Sequence, residues 1–223
     1  MTELSLTHLV RRPAQPSEAP PMLLLLHGVG SNERDLFPLA AQLDGRFLVL
    51  SARAPNPRGP GGFAWFEVQF TPQGPVIDPA QAEASRRLLL RFIDEASAAY
   101  GTDPRRVYLM GFSQGAIMSA SVALTAPEAV AGAVLMSGRI LPEIHPLIAD
   151  ASRLGGLPFL VVHGTADNVL PVHHGRASRD LLANLPVEMM YREYAMGHEL
   201  SSESFADVQT WLNTQLDRPS RQL

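Results

Sequence analysis

VYLMGFSQGAIMSASVALTA, residues 107–126, sets an apolar run directly before Gly111-Phe112-Ser113-Gln114-Gly115 and an alanine-rich run directly after it. Residues 107–110 have the length and composition of a buried strand. Residues 114–124 read as a helix whose small residues, Gly115, Ala116, Ser119, Ala120 and Ala123, let it pack close to a sheet. Ser113 then stands on a strand-to-helix turn, which demands strained backbone angles and leaves no room for side chains two residues to either side. Glycines at 111 and 115 meet that demand. A helix starting at the serine turns its free N–H groups and its positive dipole end toward it. An ordinary strand-to-helix turn reads the same five residues without chemistry, so the rest of the chain has to supply partners.

Outward from this turn, short and nearly continuous apolar runs recur at 22–26, 47–50, 133–136 and 159–162, as expected of parallel strands covered by helices on both faces. Residues 4–10, LSLTHLV, alternate instead and suit an antiparallel edge strand; 187–194 read as a further strand with charge on one face. Helices are expected over 79–100, 114–124, 173–185 and 202–216. Pro79 suits the first turn of the longest of these and Gly101 its C-terminal cap. Pro38 interrupts a helical pattern at 33–43, predicting a short turn and a restarted helix. Strand and helix in alternation give an α/β fold with a doubly wound, mostly parallel sheet and an antiparallel N-terminal edge strand. The 223 residues suit a single domain spanning 1–223. Active sites in such sheets gather at the carboxyl ends of the strands.

A serine hydroxyl is a poor nucleophile without a base, and in this arrangement the chain order is serine, then acid, then histidine. His198 lies in YAMGHE, between the last strand and the last helix, where the base belongs. His163 closes the strand FLVVHG and reads as a packing or capping residue, His173 and His174 as a solvated helix start. Asp167, in HGTADNVLP, follows the preceding strand and suits the acid that orients the histidine, although an aspartate before Asn168 also reads as plain turn chemistry. An oxyanion would take its first donor from the backbone N–H of Gln114 and its second from Val29, in the glycine-flanked loop His27-Gly28-Val29-Gly30 after an early strand. His27 reads as holding that loop.

Net charge is −4, which leaves no electrostatic footprint for nucleic acid. Zero cysteines exclude thiolate nucleophiles, thiolate metal sites and disulfides. No cofactor and no metal are expected, since His173-His174 lacks carboxylates at ligand spacing and no phosphate-cradling glycine motif follows a strand. The early apolar run at 22–26 is far short of a membrane span or a secretory signal, so a cytoplasmic chain without stable membrane association is expected. Aromatics crowd 61–78; Trp65, Phe66 and Phe70, with Met136, Ile140 and Leu141 further on, read either as a subsidiary core or as walls of an acyl-binding groove.

Five ordered stretches, MLLLLHGVGSNERDLF (22–37), FAWF (63–66), LMGFSQG (109–115), HGTADNVLP (163–171) and GH (197–198), resemble the phospholipase/carboxylesterase family of small α/β-hydrolases, which includes bacterial carboxylesterases and acyl-protein thioesterases. The resemblance covers nearly the whole chain. It implies a single-domain α/β-hydrolase without a large lid, a serine carboxylesterase acting on a small-molecule ester, a triad of Ser113, Asp167 and His198, and oxyanion donors at Val29 and Gln114. Thioester and lysophospholipid cleavage stand as alternatives, as does a non-enzymatic binding protein on the same fold. A homodimer is the assembly the family suggests. Val29 stands where the family commonly has leucine, which a backbone donor tolerates.

Overall fold

A computed structural model describes residues 4–15, 17–71 and 74–219 of the chain. Among these, one seven-stranded sheet carries the architecture. Its strands are β1 (His8–Arg11), β2 (Met22–Leu26), β3 (Leu48–Ala52), β4 (Val107–Phe112), β5 (Gly132–Met136), β6 (Pro158–Gly164) and β7 (Glu188–Tyr194). They lie in the order β1-β3-β2-β4-β5-β6-β7. Only β1 runs antiparallel, pairing His8 with Ala52, and every other neighbouring pair is parallel.

Period-two alternation decides which residues feed which core. On β2, Met22, Leu24 and Leu26 enter one apolar layer while Leu23 and Leu25 enter the other, and all five are fully buried. Helices α1 (Pro79–Tyr100), α2 (Gln114–Thr125), the short α3 (Ala151–Leu154) and α4 (His173–Ala183) feed the first layer through Leu89, Phe92, Ile117, Leu154 and Leu182. Helix α5 (Ser202–Asp217) feeds the second through Phe205, Val208, Trp211 and Leu212. Helices on both faces explain why the parallel strands read as unbroken apolar runs.

Helix α1 starts and stops as its sequence dictates. The Asp78 carboxylate accepts from the N–H groups of Ala80 and Gln81, Pro79 occupies the first turn, and Gly101 ends the helix at φ 65°. The restarted helix expected at 33–43 is instead a single 3₁₀ stretch, Phe37–Gln42. A turn at 33–34 precedes it and Pro38 stands in its first turn, while the buried Glu33 carboxylate grips Arg53, which follows β3, at 2.6 and 2.7 Å. The edge strand is likewise shorter than 4–10, since the chain pairs only from His8 onward. The segment expected to hold aromatics folds into two small ladders, Asn56–Pro57 with Phe63–Ala64 and Val68–Thr71 with Gly74–Ile77. The second ladder is a short hairpin that reaches the carboxyl edge of the sheet; no longer insertion covers that edge among the described residues.

Candidate active site

Ser113 sits between β4 and α2 with φ 52° and ψ −116°, a conformation that costs of the order of 1–3 kcal/mol outside glycine. Its flanks show why two glycines are required. A Cβ on Gly111 would stand 2.3 Å from the carbonyl of Gly115, and one on Gly115 would stand 1.9 Å from the carbonyl oxygen of Leu26. The hydroxyl of Ser113 lies 2.9 Å from Nε2 of His198, and Nδ1 of that histidine lies 2.7 Å from Oδ2 of Asp167. The structure therefore brings the three residues expected from sequence into one hydrogen-bonded row. Phe112 packs its ring 5.0 Å from that of His198.

Asp167 carries both readings weighed for it. Its Oδ1 accepts from the N–H groups of Val169 and Leu170 at 2.9 and 2.8 Å, closing a turn, while Oδ2 faces His198. The turn thus fixes the carboxylate that orients the imidazole. Backbone bonds lock the acid loop to the base loop: Thr165 N–H donates to Tyr194 O and Ala166 N–H to Met196 O. Gly164 permits that contact, because a Cβ there would fall 2.3 Å from Gly197 O.

Two other histidines serve the scaffold, as the sequence suggested. His27 Nδ1 bonds Gly28 O at 2.7 Å and its Nε2 accepts from Ala54 N–H at 3.0 Å, which fixes a neutral ring beneath the loop. Burial pushes its pKa down. His163 is fully buried, bonds Leu170 O through Nε2 at 2.7 Å, and is likewise held neutral by desolvation.

The loop carrying Val29 packs directly on the serine; a Cβ on Gly28 would stand 3.4 Å from Ser113 Cβ. Neither the Val29 N–H nor the Gln114 N–H, which belongs to the first residue of α2, is taken by an acceptor among the described residues. The loop is clamped from outside by Gly30 N–H to Phe63 O, Phe63 N–H to Ser31 O and Asn32 Nδ2 to Gly61 O. The Glu33–Arg53 pair, with Arg53 stacked 4.6 Å over Phe63, anchors its far end.

Beside Ser113 lies a small cavity of about 20 Å³, open to solvent, whose apolar wall is Val29, Phe66, Val68, Pro75, Ile117 and Leu170. Phe66 is therefore where a groove wall was expected. Trp65, Ile140 and Leu141 are not among the cavity's lining residues and are buried in the first apolar layer, and Met136 is buried in the second. Trp65 is fully buried and spends its indole N–H on His27 O at 3.0 Å, so it braces the scaffold from below. The Phe70 side chain falls outside what the structure describes, although its backbone pairs with Pro75.

Three contributions were not read from sequence. The Gln114 side chain spans the elbow and the 63–68 strap, accepting from Trp65 N–H and donating to Phe66 O, each at 2.7 Å. Glu33 and Arg53, 20 residues apart, offered no local pattern. Arg139 lines the cavity next to Ser113, and its one signal was a charge set among the apolar residues of AVLMSGRILP. Ser137, two residues before it, has φ 50°; with Ser113 it is one of two non-glycine residues at positive φ among those described. Both stand at the carboxyl ends of adjacent strands. His173 and His174 begin α4 with their rings 4.2 Å apart, and His174 is pushed down to about 4 by burial, then by His173 and Arg139.

No helix among the described residues is long and apolar enough to cross a membrane. The family described as Phospholipase/Carboxylesterase matches residues 8–216. Carboxylesterase SOBER1 of Arabidopsis thaliana is 27% identical over 207 residues, covering 87% of this chain and 90% of that protein. Acyl-protein thioesterase 1 of Eremothecium gossypii is 26% identical over 233 residues, covering 96% of each. The crystal structure of the Bacillus cereus carboxylesterase superposes with a TM-score of 0.82 at 26% identity, covering 94% of both chains.

Proposed function

Because the chain belongs to the phospholipase/carboxylesterase family of ester hydrolases, we propose that it is a serine carboxylesterase that cleaves short- to medium-chain carboxylic esters through an acyl-enzyme on Ser113. The observation that carries this reading is the unbroken row Ser113 Oγ, His198, Asp167 at 2.9 and 2.7 Å. Nε2 of His198 takes the hydroxyl proton as Oγ attacks the ester carbonyl carbon, and Asp167 stabilises the imidazolium that forms. The carbonyl oxygen becomes an oxyanion and is received by the free N–H groups of Val29 and Gln114. Collapse of the tetrahedral intermediate breaks the bond to the alkoxy group, which leaves as the alcohol after taking the proton from Nε2. Water then repeats the sequence on the acyl-enzyme, giving up a proton to Nε2, releasing the carboxylic acid and restoring the serine.

The cavity supports the restriction to modest acyl chains. Its volume of about 20 Å³ is far below the roughly 300–1,000 Å³ usual for ligand sites, and Val68 and Pro75 of the hairpin wall it in. A thioester reading is favoured by the similarity to the Eremothecium gossypii thioesterase, since the same acyl-enzyme serves either leaving group.

The test is covalent labelling with a fluorophosphonate, located by mass spectrometry, alongside p-nitrophenyl ester turnover by the parent and Ser113→Ala. Label on Ser113 and loss of turnover in the variant are expected; label elsewhere or undiminished turnover overturns the assignment. A series of acyl esters and acyl-CoA thioesters of increasing length separates the two substrate readings.

A further inference from the structure

Arg139 is half-buried, lines the cavity that contains Ser113, and has its Nε shielded from water with no hydrogen-bond partner. Among the described residues it has no ion pair within 4.0 Å; the carboxylate whose charge reaches it is that of Glu143, an exposed residue of the 3₁₀ segment Pro142–Leu147. Arg53 grips Glu33 and Arg86 grips Glu83 through two bonds each, and Arg11, whose Nε is also shielded, still donates through Nη2 to Asp44 O at 3.0 Å. A buried guanidinium N–H without an acceptor is unfavourable, and an anion placed in the cavity would supply one.

Its surroundings do not supply that acceptor. Gly138 packs on α2 so tightly that a Cβ there would fall 2.6 Å from that of Ala116, and Ser137 holds a strained φ of 50°. The turn that delivers Arg139 to the cavity is therefore fixed and costly, as turns at functional sites are. The charge of Arg139 also bears on His174, whose ring lies 4.2 Å from that of His173 at the start of α4. Asp167, the negative charge on that side, is engaged by His198 and the backbone of Val169 and Leu170. Apart from Ser113, Gln114 and Arg139, the cavity lining is apolar.

We propose that Arg139 is a specificity-determining residue that binds an anionic group on the substrate, so that the preferred esters carry a carboxylate or a phosphate a few bonds from the scissile carbonyl. The guanidinium offers a planar fork to either anion and makes charge-assisted bonds with it. This rests on the esterase reading of the same site.

The experiment uses matched ester pairs that differ in one charge. On the acyl side, p-nitrophenyl hydrogen adipate is compared with its methyl-capped diester. On the alcohol side, butyryloxyacetate is compared with its methyl ester, and 2-butyryloxyethyl phosphate with 2-butyryloxyethyl methyl ether. The parent enzyme is expected to favour the charged member of at least one pair by about tenfold or more in kcat/KM, less so as salt is added. The pair that responds tells carboxylate from phosphate and acyl side from alcohol side. Arg139→Met should erase that preference through KM for the charged ester, and Arg139→Lys should restore part of it. Equal turnover of both members in every pair overturns the inference and leaves the esterase reading standing, and a folded Arg139→Met that keeps the preference overturns it too. If Arg139→Met fails to fold, the parent pairs and Arg139→Lys decide. Turnover of no ester, charged or neutral, with no fluorophosphonate label, is the separate result that removes the esterase reading and this inference with it.

Discussion

Gly115, the second residue of α2, approaches Leu26, the last residue of β2, so closely that a Cβ on the glycine would lie 1.9 Å from the leucine carbonyl oxygen. The obstacle is backbone of a central strand, which cannot swing aside. Gly115→Ala should therefore force the elbow away from the sheet, at a cost of about 3 kcal/mol or more, and reduce ester turnover through displacement of Ser113. Chemical denaturation and p-nitrophenyl ester kinetics measure both; a variant with parent-like stability would mean that the elbow has slack.

Strain at Ser113 makes its own prediction. Alanine and glycine both remove the hydroxyl, but only glycine adopts φ 52° freely. Ser113→Gly should unfold at a higher temperature than Ser113→Ala, by the equivalent of about 1 kcal/mol, with both inactive. The reverse order in calorimetry would show that the backbone is not strained there.

Asp167 holds a turn with one oxygen and His198 with the other. Asn at 167 can still accept from Val169 and Leu170 but presents an amide donor or a neutral oxygen to Nδ1, so the histidine loses its orienting charge. Asp167→Asn should keep the fold and lose turnover on the order of 10⁴-fold, by the pattern of serine hydrolases. Asp167→Ala should lose the turn as well and unfold earlier, since each stranded N–H costs about 1–3 kcal/mol. Full turnover in the Asn variant would move the acid elsewhere.

The Gln114 side chain couples chemistry to the strap that walls the cavity. Gln114→Leu strands the buried Trp65 N–H and Phe66 carbonyl while leaving the Gln114 amide in place. Loss of about 2 kcal/mol or more of stability is expected, together with a raised KM as Phe66 loosens. Gln114→Glu still accepts from Trp65 but sets an oxygen against Phe66 O and should be nearly as harmful. Urea titration and steady-state kinetics report the two effects.

Buried neutral histidines set the acid limit of stability. His27 and His163 have lowered pKa values and His174 is pushed down to about 4, so below about 6.5 the unfolded chain binds protons that the folded chain refuses. The stability they contribute is complete above about 6.5 and declines as pH falls, for His174 down to about 4. Glu83 and Glu193, lowered from 4.5 to about 2 by their arginines, add losses only below 4.5. The thermal midpoint should thus fall between pH 6.5 and 4.5, and His174→Gln should flatten part of the slope. A midpoint level over that window would contradict neutral burial.

What was legible in sequence was whatever depends on near neighbours. Apolar runs gave the parallel strands, Pro79 and Gly101 bracketed α1, and the order of Ser113, Asp167 and His198 gave the row that the fold assembles. What escaped depends on partners far along the chain. The Glu33–Arg53 pair joins residues 20 apart; Trp65 reads as either subsidiary core or groove wall, and only its bond to the His27 carbonyl shows which. Gln114 read as a backbone donor alone, because nothing local says that its amide will clasp residues 48 and 49 positions earlier.

The sheet order carries a last consequence, for the newly made chain. Ser113 follows β4 in the middle of the sheet, whereas His198 follows β7 at its edge, 85 residues later. Among the described residues β7 pairs with β6 alone, so the loop of His198 is positioned by the last described strand of the sheet in chain order. On the esterase reading proposed above, a nascent chain folded only as far as β6 has its elbow without His198 and should be inert toward esters. Hydrolytic competence is then acquired in the last docking step, which makes the onset of activity during refolding a direct clock for the closing of that sheet edge.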